Sequence, residues 1–169
     1  MATPYQDPII AKLIGILNQY GPASLKNRYY HGDPLVVAKS ALPAVFISKD
    51  KTSIGNESVA EDFSRMPIVL NVVQDLTRDF GQAFSNVSSA GMVYEALEAR
   101  DASYALRPDS IAYVLRKFYQ LDSKLYINLD KDMEIDYGVS VNKRGDGIFT
   151  VEGVVRIEIF HYQLAPMEG

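Results

Sequence analysis

The chain contains no cysteine. That absence excludes disulfides, thiolate nucleophiles and thiolate metal sites together. Histidine is scarce: His31 and His161 are the only two. A metal centre usually draws on several histidine or carboxylate ligands at local spacing. Neither histidine has neighbours that complete a set of nucleophile, base and orienting group. No catalytic, cofactor-binding or metal-ligating residue is therefore expected. Basic runs are missing as well. The nearest is the pair Lys143-Arg144, and the net charge is −4. Binding to nucleic acid needs many cationic contacts. Sequence-specific nucleic-acid binding is not expected, although excess negative charge suits a surface beside a channel that DNA crosses. There is no glycine-rich phosphate loop and no GxSxG elbow. The first seven residues lack a basic segment, and the longest apolar stretch, residues 9–17, is broken by Lys12. The expectation is no signal peptide and no membrane contact.

What is present is ordinary globular composition. The 169 residues are 47% hydrophobic and 22% charged, enough apolar material for one folded domain over residues 1–169. A helix is expected from Pro8 to Tyr20. Asp7 can cap it, Pro8 suits its first position, and Gly21-Pro22 ends it. Residues 22–34 read as loop, with strands at 35–39 and Ala44–Lys49. Residues 50–64 are polar and read as an excursion, either a long loop or a projecting hairpin. The apolar run at 68–73 suggests a central strand covered on both faces. Residues 77–90 look like loop. Helices are expected at about 92–104 and 108–121, the second with a stripe of Ile111, Val114, Leu115, Phe118 and Leu121.

The last third alternates with a period of two. Leu125, Ile127 and Leu129 form one set, and Ile135, Tyr137, Val139 and Val141 another. A long final strand is expected over 148–163. Val151, Val155, Ile157 and Ile159 share one face of it, Glu152, Arg156 and Glu158 the other, and Gly153 is a candidate bulge. The fold class is α+β: an antiparallel or mixed β-sheet with helices mainly on one face, plus a projecting loop or hairpin. Asp130, Asp132, Glu134 and Asp136 resemble calcium-loop spacing. An EF-hand counted from Asp130, however, would need Gly and Glu where Ile135 and Val141 stand. A solvated strand face accounts for the alternation instead. Residues 144–147, Arg-Gly-Asp-Gly, are turn chemistry. Tyr29, Tyr30, Tyr113 and Tyr119 suit either an interface or half-buried packing.

The whole layout resembles the tail terminator (tail completion) proteins of long-tailed bacteriophages. The resemblance is carried by an N-terminal amphipathic helix (IIAKLIGILNQY), a proline-led strand (PAVFISK), a variable excursion, and a second apolar strand (PIVLNVV). Helices ending in IAYVLRKF and a closing hairpin with the strand VVRIEIFHYQ complete it. It covers roughly residues 7–163 and includes no catalytic motif; residues 77–110 are longer than a minimal member needs. It implies a virion protein at the head-proximal end of the tail, assembled in the host cytoplasm. Such a protein forms a ring, in this family a hexamer, on the tail tube. It stops tube polymerisation and docks to neck or connector proteins, and in contractile tails it meets the sheath. The implied partners are therefore further copies of the chain, the tail tube protein, neck or connector proteins, and the sheath.

A cyclic ring uses two different, complementary faces of each subunit, and an exposed edge or hairpin can supply one. The excursion and the turn are the candidate docking regions. The first gives Asn56, Glu57, Glu61 and Asp62 as candidate interface residues, and the second Arg144 and Asp146. Two other readings stay open. One is a different neck or head–tail connector protein. The other is a small-ligand-binding domain or enzyme whose site is built from scattered carboxylates and tyrosines.

Overall fold

The computed structural model describes residues 5–56, 61–79, 88–137, 142–145 and 147–164. Helix α1 (Pro8–Tyr20) begins as its sequence suggests, with the Asp7 carboxylate accepting hydrogen bonds from the backbone N–H groups of Ile9 and Ile10. Lys49 pairs with the same carboxylate. The helix stops at Gly21, whose N–H donates to the Leu17 carbonyl. A Cβ on Gly21 would lie 2.6 Å from both that carbonyl oxygen and the Tyr29 hydroxyl, so only glycine fits there.

The strands are β1 (Tyr29–His31), β2 (Ala44–Lys49), β3 (Ser53–Asn56), β4 (Glu61–Asp75), β5 (Gln120–Asp122), β6 (Ile127–Asp136), β7 (Asn142–Lys143) and β8 (Phe149–Leu164). Among the described residues they form one sheet in the order β1-β2-β4-β8-β6-β5. β3 lies alongside β4 and β7 alongside β8. β1 pairs with β2 in parallel and every other pairing is antiparallel, so the sheet is mixed. Its spine is β4 against β8, in unbroken register from Glu61↔Leu164 to Asp75↔Thr150.

The helices α1, α2 (Ser88–Glu98) and α3 (Ile111–Lys117) cover one face. That core interleaves Ile10, Leu13 and Leu17 of α1 and Leu97, Ile111 and Leu115 of the other helices with Ile47, Ile68, Leu70, Val155 and Ile159 of the sheet. Burying each such side chain contributes ~1.5–3 kcal/mol. The opposite face has a much smaller cover. There Val37 and Leu42 pack on Ala44, Phe46 and Val73. The α+β architecture, with helices on one face and a hairpin extending the sheet, is as the sequence implies.

Several local expectations are corrected. The strand expected at 35–39 is absent; the edge strand is β1, inside the segment read as loop. Leu35 and Val36 are 89% and 72% exposed, and only Val37 is inserted. The central strand is far longer than 68–73, because backbone pairing to β3 and β8 carries it through the mostly polar residues 61–65. Helix α2 starts and ends earlier than expected. Past it, the Asp101 carboxylate accepts from the N–H groups of Ser103 and Ala105, which favours a turn over continued helix. Helix α3 ends at Lys117, yet Leu121 still reaches the same core from β5. The two alternating sets meet in one strand, β6, which carries Ile127, Leu129 and Ile135 and is interrupted by a register shift between Leu129 and Met133. Val139 and Val141 lie outside the described residues. Gly153 is no bulge. It faces α2, where a Cβ would lie 2.5 Å from Val93 Cγ1 and 2.6 Å from Leu97 Cδ1.

Candidate docking surfaces

Two regions nominated by sequence lie toward opposite ends of β8. At one end, β3 and the start of β4 form a hairpin that continues the sheet past β2. Asn56 stands opposite Asp62, and Asp62 stands opposite Gln163 of β8. Glu61 opens β4 opposite Leu164. Glu57 lies outside the described residues. The strand β3 is uncharged, and its Ile54 is 66% exposed. Beside it the open face holds an aromatic group. Phe63 stacks on Phe160 at 5.7 Å and meets Tyr162 at 4.9 Å, while the Arg65 guanidinium lies 5.4 Å from the Phe160 ring centroid.

At the other end stands Arg144, with Asp146 outside the described residues. Arg144 is no free docking residue: only 11% of its side chain is exposed. Its Nε donates to Glu152 Oε1 at 2.6 Å and its Nη2 to Oε2 at 2.8 Å. Its Nη1 donates to Asp33 Oδ1 at 2.5 Å and to the Pro34 carbonyl at 2.6 Å. The guanidinium also lies 5.5 Å from the Phe46 ring centroid. Asn71 Nδ2 and Thr150 Oγ1 donate to the same Glu152 carboxylate, at 2.7 and 2.8 Å. Burial alone pushes the Glu152 carboxyl up, but the hydrogen bonds from Arg144, Asn71 and Thr150 and the Arg144 charge outweigh it and hold it below the ordinary value. Arg144 is correspondingly raised, first by its bonds to Glu152.

The cluster ties the segment around residues 33–37 to the sheet, helped by a backbone bond from the Val37 N–H to the Arg144 carbonyl. Asp33, Asn71, Thr150 and Glu152 are the residues that sequence reasoning missed. One signal was available: Asn71 interrupts the apolar run IVLNVV, and a polar side chain in a covered strand needs a buried partner. Glu152, expected on the face opposite Val151 and Val155, is buried there.

The clamped segment borders an open groove of about 520 Å³, lined mainly by Tyr30, Pro34, Val36, Val37, Ala41 and Phe46. Leu35, Val36 and Tyr30 leave apolar surface exposed at its rim. His31 of β1 also lines the groove. His161 lies on β8 between Ser64 and Ile127, so the two histidines do not share a site. Tyr29 is buried in the main core, whereas Tyr30 is 41% exposed. Asp132, Glu134 and Asp136 line the exposed outer part of β6, and Asp130 is half-buried. Among the described residues no group of three or more His, Cys, Asp or Glu is placed to hold a metal ion, and no helix is long and apolar enough to cross a membrane.

No protein-family model and no curated protein matches this chain.

Proposed function

We propose that this chain is a structural subunit, a tail terminator that forms a ring at the head-proximal end of a phage tail tube. The observation that carries the reading is the two-ended sheet. A hairpin with an exposed isoleucine and an aromatic face lies at one end of β8, and a clamped loop with an exposed Leu35-Val36 tip lies toward the other. The hairpin positions and Glu152 are about eleven residues apart along β8, or roughly 35 Å at strand rise. A ring subunit between a tube and a connector needs separate contact regions of this kind, in addition to those toward its neighbours. The resemblance in layout supports the same role. Copies of the chain, the tube protein, neck proteins and, in a contractile tail, the sheath are the partners it implies.

The test is electron microscopy of the purified protein mixed with tail tubes and, separately, with portal-side connector complexes. A terminator caps tube ends and blocks their further growth. Binding only to the connector side favours a neck protein instead. A second reading, a domain for a small apolar ligand, is favoured by the groove under Tyr30 and Phe46. A saturable ligand held by a monomer that ignores both assemblies would select it.

A further inference from the structure

Several strand edges are open among the described residues, including the outer edges of β1 and β5 at the two ends of the sheet; among them are two stretches directly beside the central β4–β8 pair. One is the outer edge of β3, which pairs only with β4. The other is β6 beyond its short pairing with β5, which ends at Asn128. They lie on opposite sides of the sheet. Strand direction alternates across β3, β4, β8 and β6, so β3 and β6 run in opposite senses. A neighbour rotated about an axis roughly along the strands therefore presents its β6 antiparallel to β3.

Charge separates the possible pairings. The open part of β6 carries exposed Asp132, Glu134 and Asp136. Pairing this edge with itself would set carboxylates against carboxylates, which is destabilising. The β3 edge has no charge within Ser53–Asn56 and is led by exposed Lys51. Its Ile54 is exposed, on an open edge that would invite aggregation unless it is covered. Beside the β6 edge lies an open depression of about 460 Å³, where Pro67 and Met133 offer apolar surface to Ile54 amid the charged Asp132, Glu134, Arg156 and Glu158.

We propose that the chain assembles head to tail by strand addition, the β3 edge of one copy pairing antiparallel with the β6 edge of the next. The inference rests on the ring reading and names its contact. The two edges are offset along the strand direction, since β3 flanks the part of β4 opposite residues 160–163 of β8 and the open part of β6 flanks residues 154–157. Closure therefore requires strands inclined to the ring axis, as in closed barrels.

The absence of native cysteine makes the contact directly testable. Ser53→Cys and Lys131→Cys place thiols at exposed positions on the two edges. Each single variant and the double variant are treated with a short bis-maleimide and run on denaturing gels, with native mass spectrometry of the untreated samples and circular dichroism to verify folding. Head-to-tail pairing predicts a ladder beyond dimer for the double variant and monomer for each single variant. Ile54→Lys is expected to raise the assembly midpoint concentration at least about tenfold, a loss of ~1.4 kcal/mol. Dimers formed by a single variant indicate like-with-like edges and overturn the proposal. Rings in the mass spectra without a ladder, or an Ile54→Lys midpoint equal to wild type, overturn the strand pairing but leave the ring reading intact. Folded protein that is monomeric throughout, and stays so when tail tubes are added, overturns both.

Discussion

Arg144 holds Glu152 at two points, Nε to Oε1 at 2.6 Å and Nη2 to Oε2 at 2.8 Å, across the turn into the last strand. Both side chains are nearly buried, 11% and 8% exposed. The pair ties the loop at Asp33 and Pro34 to the centre of the sheet. Removing one partner leaves the other charge buried without compensation, which costs ~3–5 kcal/mol. Arg144→Ala is expected to lower stability by about that much in urea unfolding. Arg156→Ala serves as the control. Its contact with Asp136 is 3.8 Å long and half-exposed, and its loss should cost under ~1 kcal/mol.

The same pair sets the acid limb of stability. The Glu152 carboxyl is held below its ordinary value of 4.5. A depressed folded value contributes stability that is fully present above the unfolded value and lost as pH falls through the folded one. Wild-type stability should therefore decline below about pH 4.5. Glu152→Gln is expected to be less stable at neutral pH and to show a flatter decline below that point. Unfolding curves taken stepwise between neutral and acidic pH check this, and parallel curves for the two proteins would contradict it.

Gly153 faces helix α2 with no room for a methyl group, whose carbon would lie 2.5 Å from Val93 Cγ1. Gly153→Ala is expected to destabilise by ~1–3 kcal/mol through overpacking. Val93→Ala should relieve part of that cost, so the double variant should be more stable than the sum of the single losses predicts. A double-mutant cycle in urea that shows simple additivity would mean the helix moves away freely.

Leu35 and Val36 are exposed and contribute little to folding. Replacing both with serine is expected to change stability by less than ~0.5 kcal/mol. If this tip is a docking surface, the same change weakens attachment to the tube or connector, read by co-sedimentation. Unchanged attachment would remove the tip from the docking account.

The elements legible in the sequence are those whose signals are local. Asp7, Pro8 and Gly21 mark α1 through caps and backbone geometry, and the alternation of Val155, Ile157 and Ile159 marks the core face of β8. What the sequence concealed depends on distant residues. Glu61 to Ser64 fall in the mostly polar excursion, which the sequence leaves open as a long loop or a projecting hairpin; pairing with β3 and β8 makes it the hairpin, since ladder hydrogen bonding needs no apolar side chain. Leu35-Val36-Val37 looked like a strand, but Asp33 and Pro34 are held by Arg144, more than a hundred residues away, and the segment becomes a cover instead. Parity places Glu152 on the face away from the helices but does not say whether that face is covered; that same cover makes its position dry. Arg144 was nominated for docking because turns are usually exposed, whereas the structure makes it an internal anchor.

Native mass spectrometry of the purified chain over a range of concentrations, with negative-stain imaging of any large species, tests the central claim most directly. A self-assembling ring subunit predicts a closed oligomer, most tellingly a hexamer, that appears as concentration rises. A folded protein that stays monomeric or dimeric at every concentration, and remains so when tail tubes are added, would contradict it.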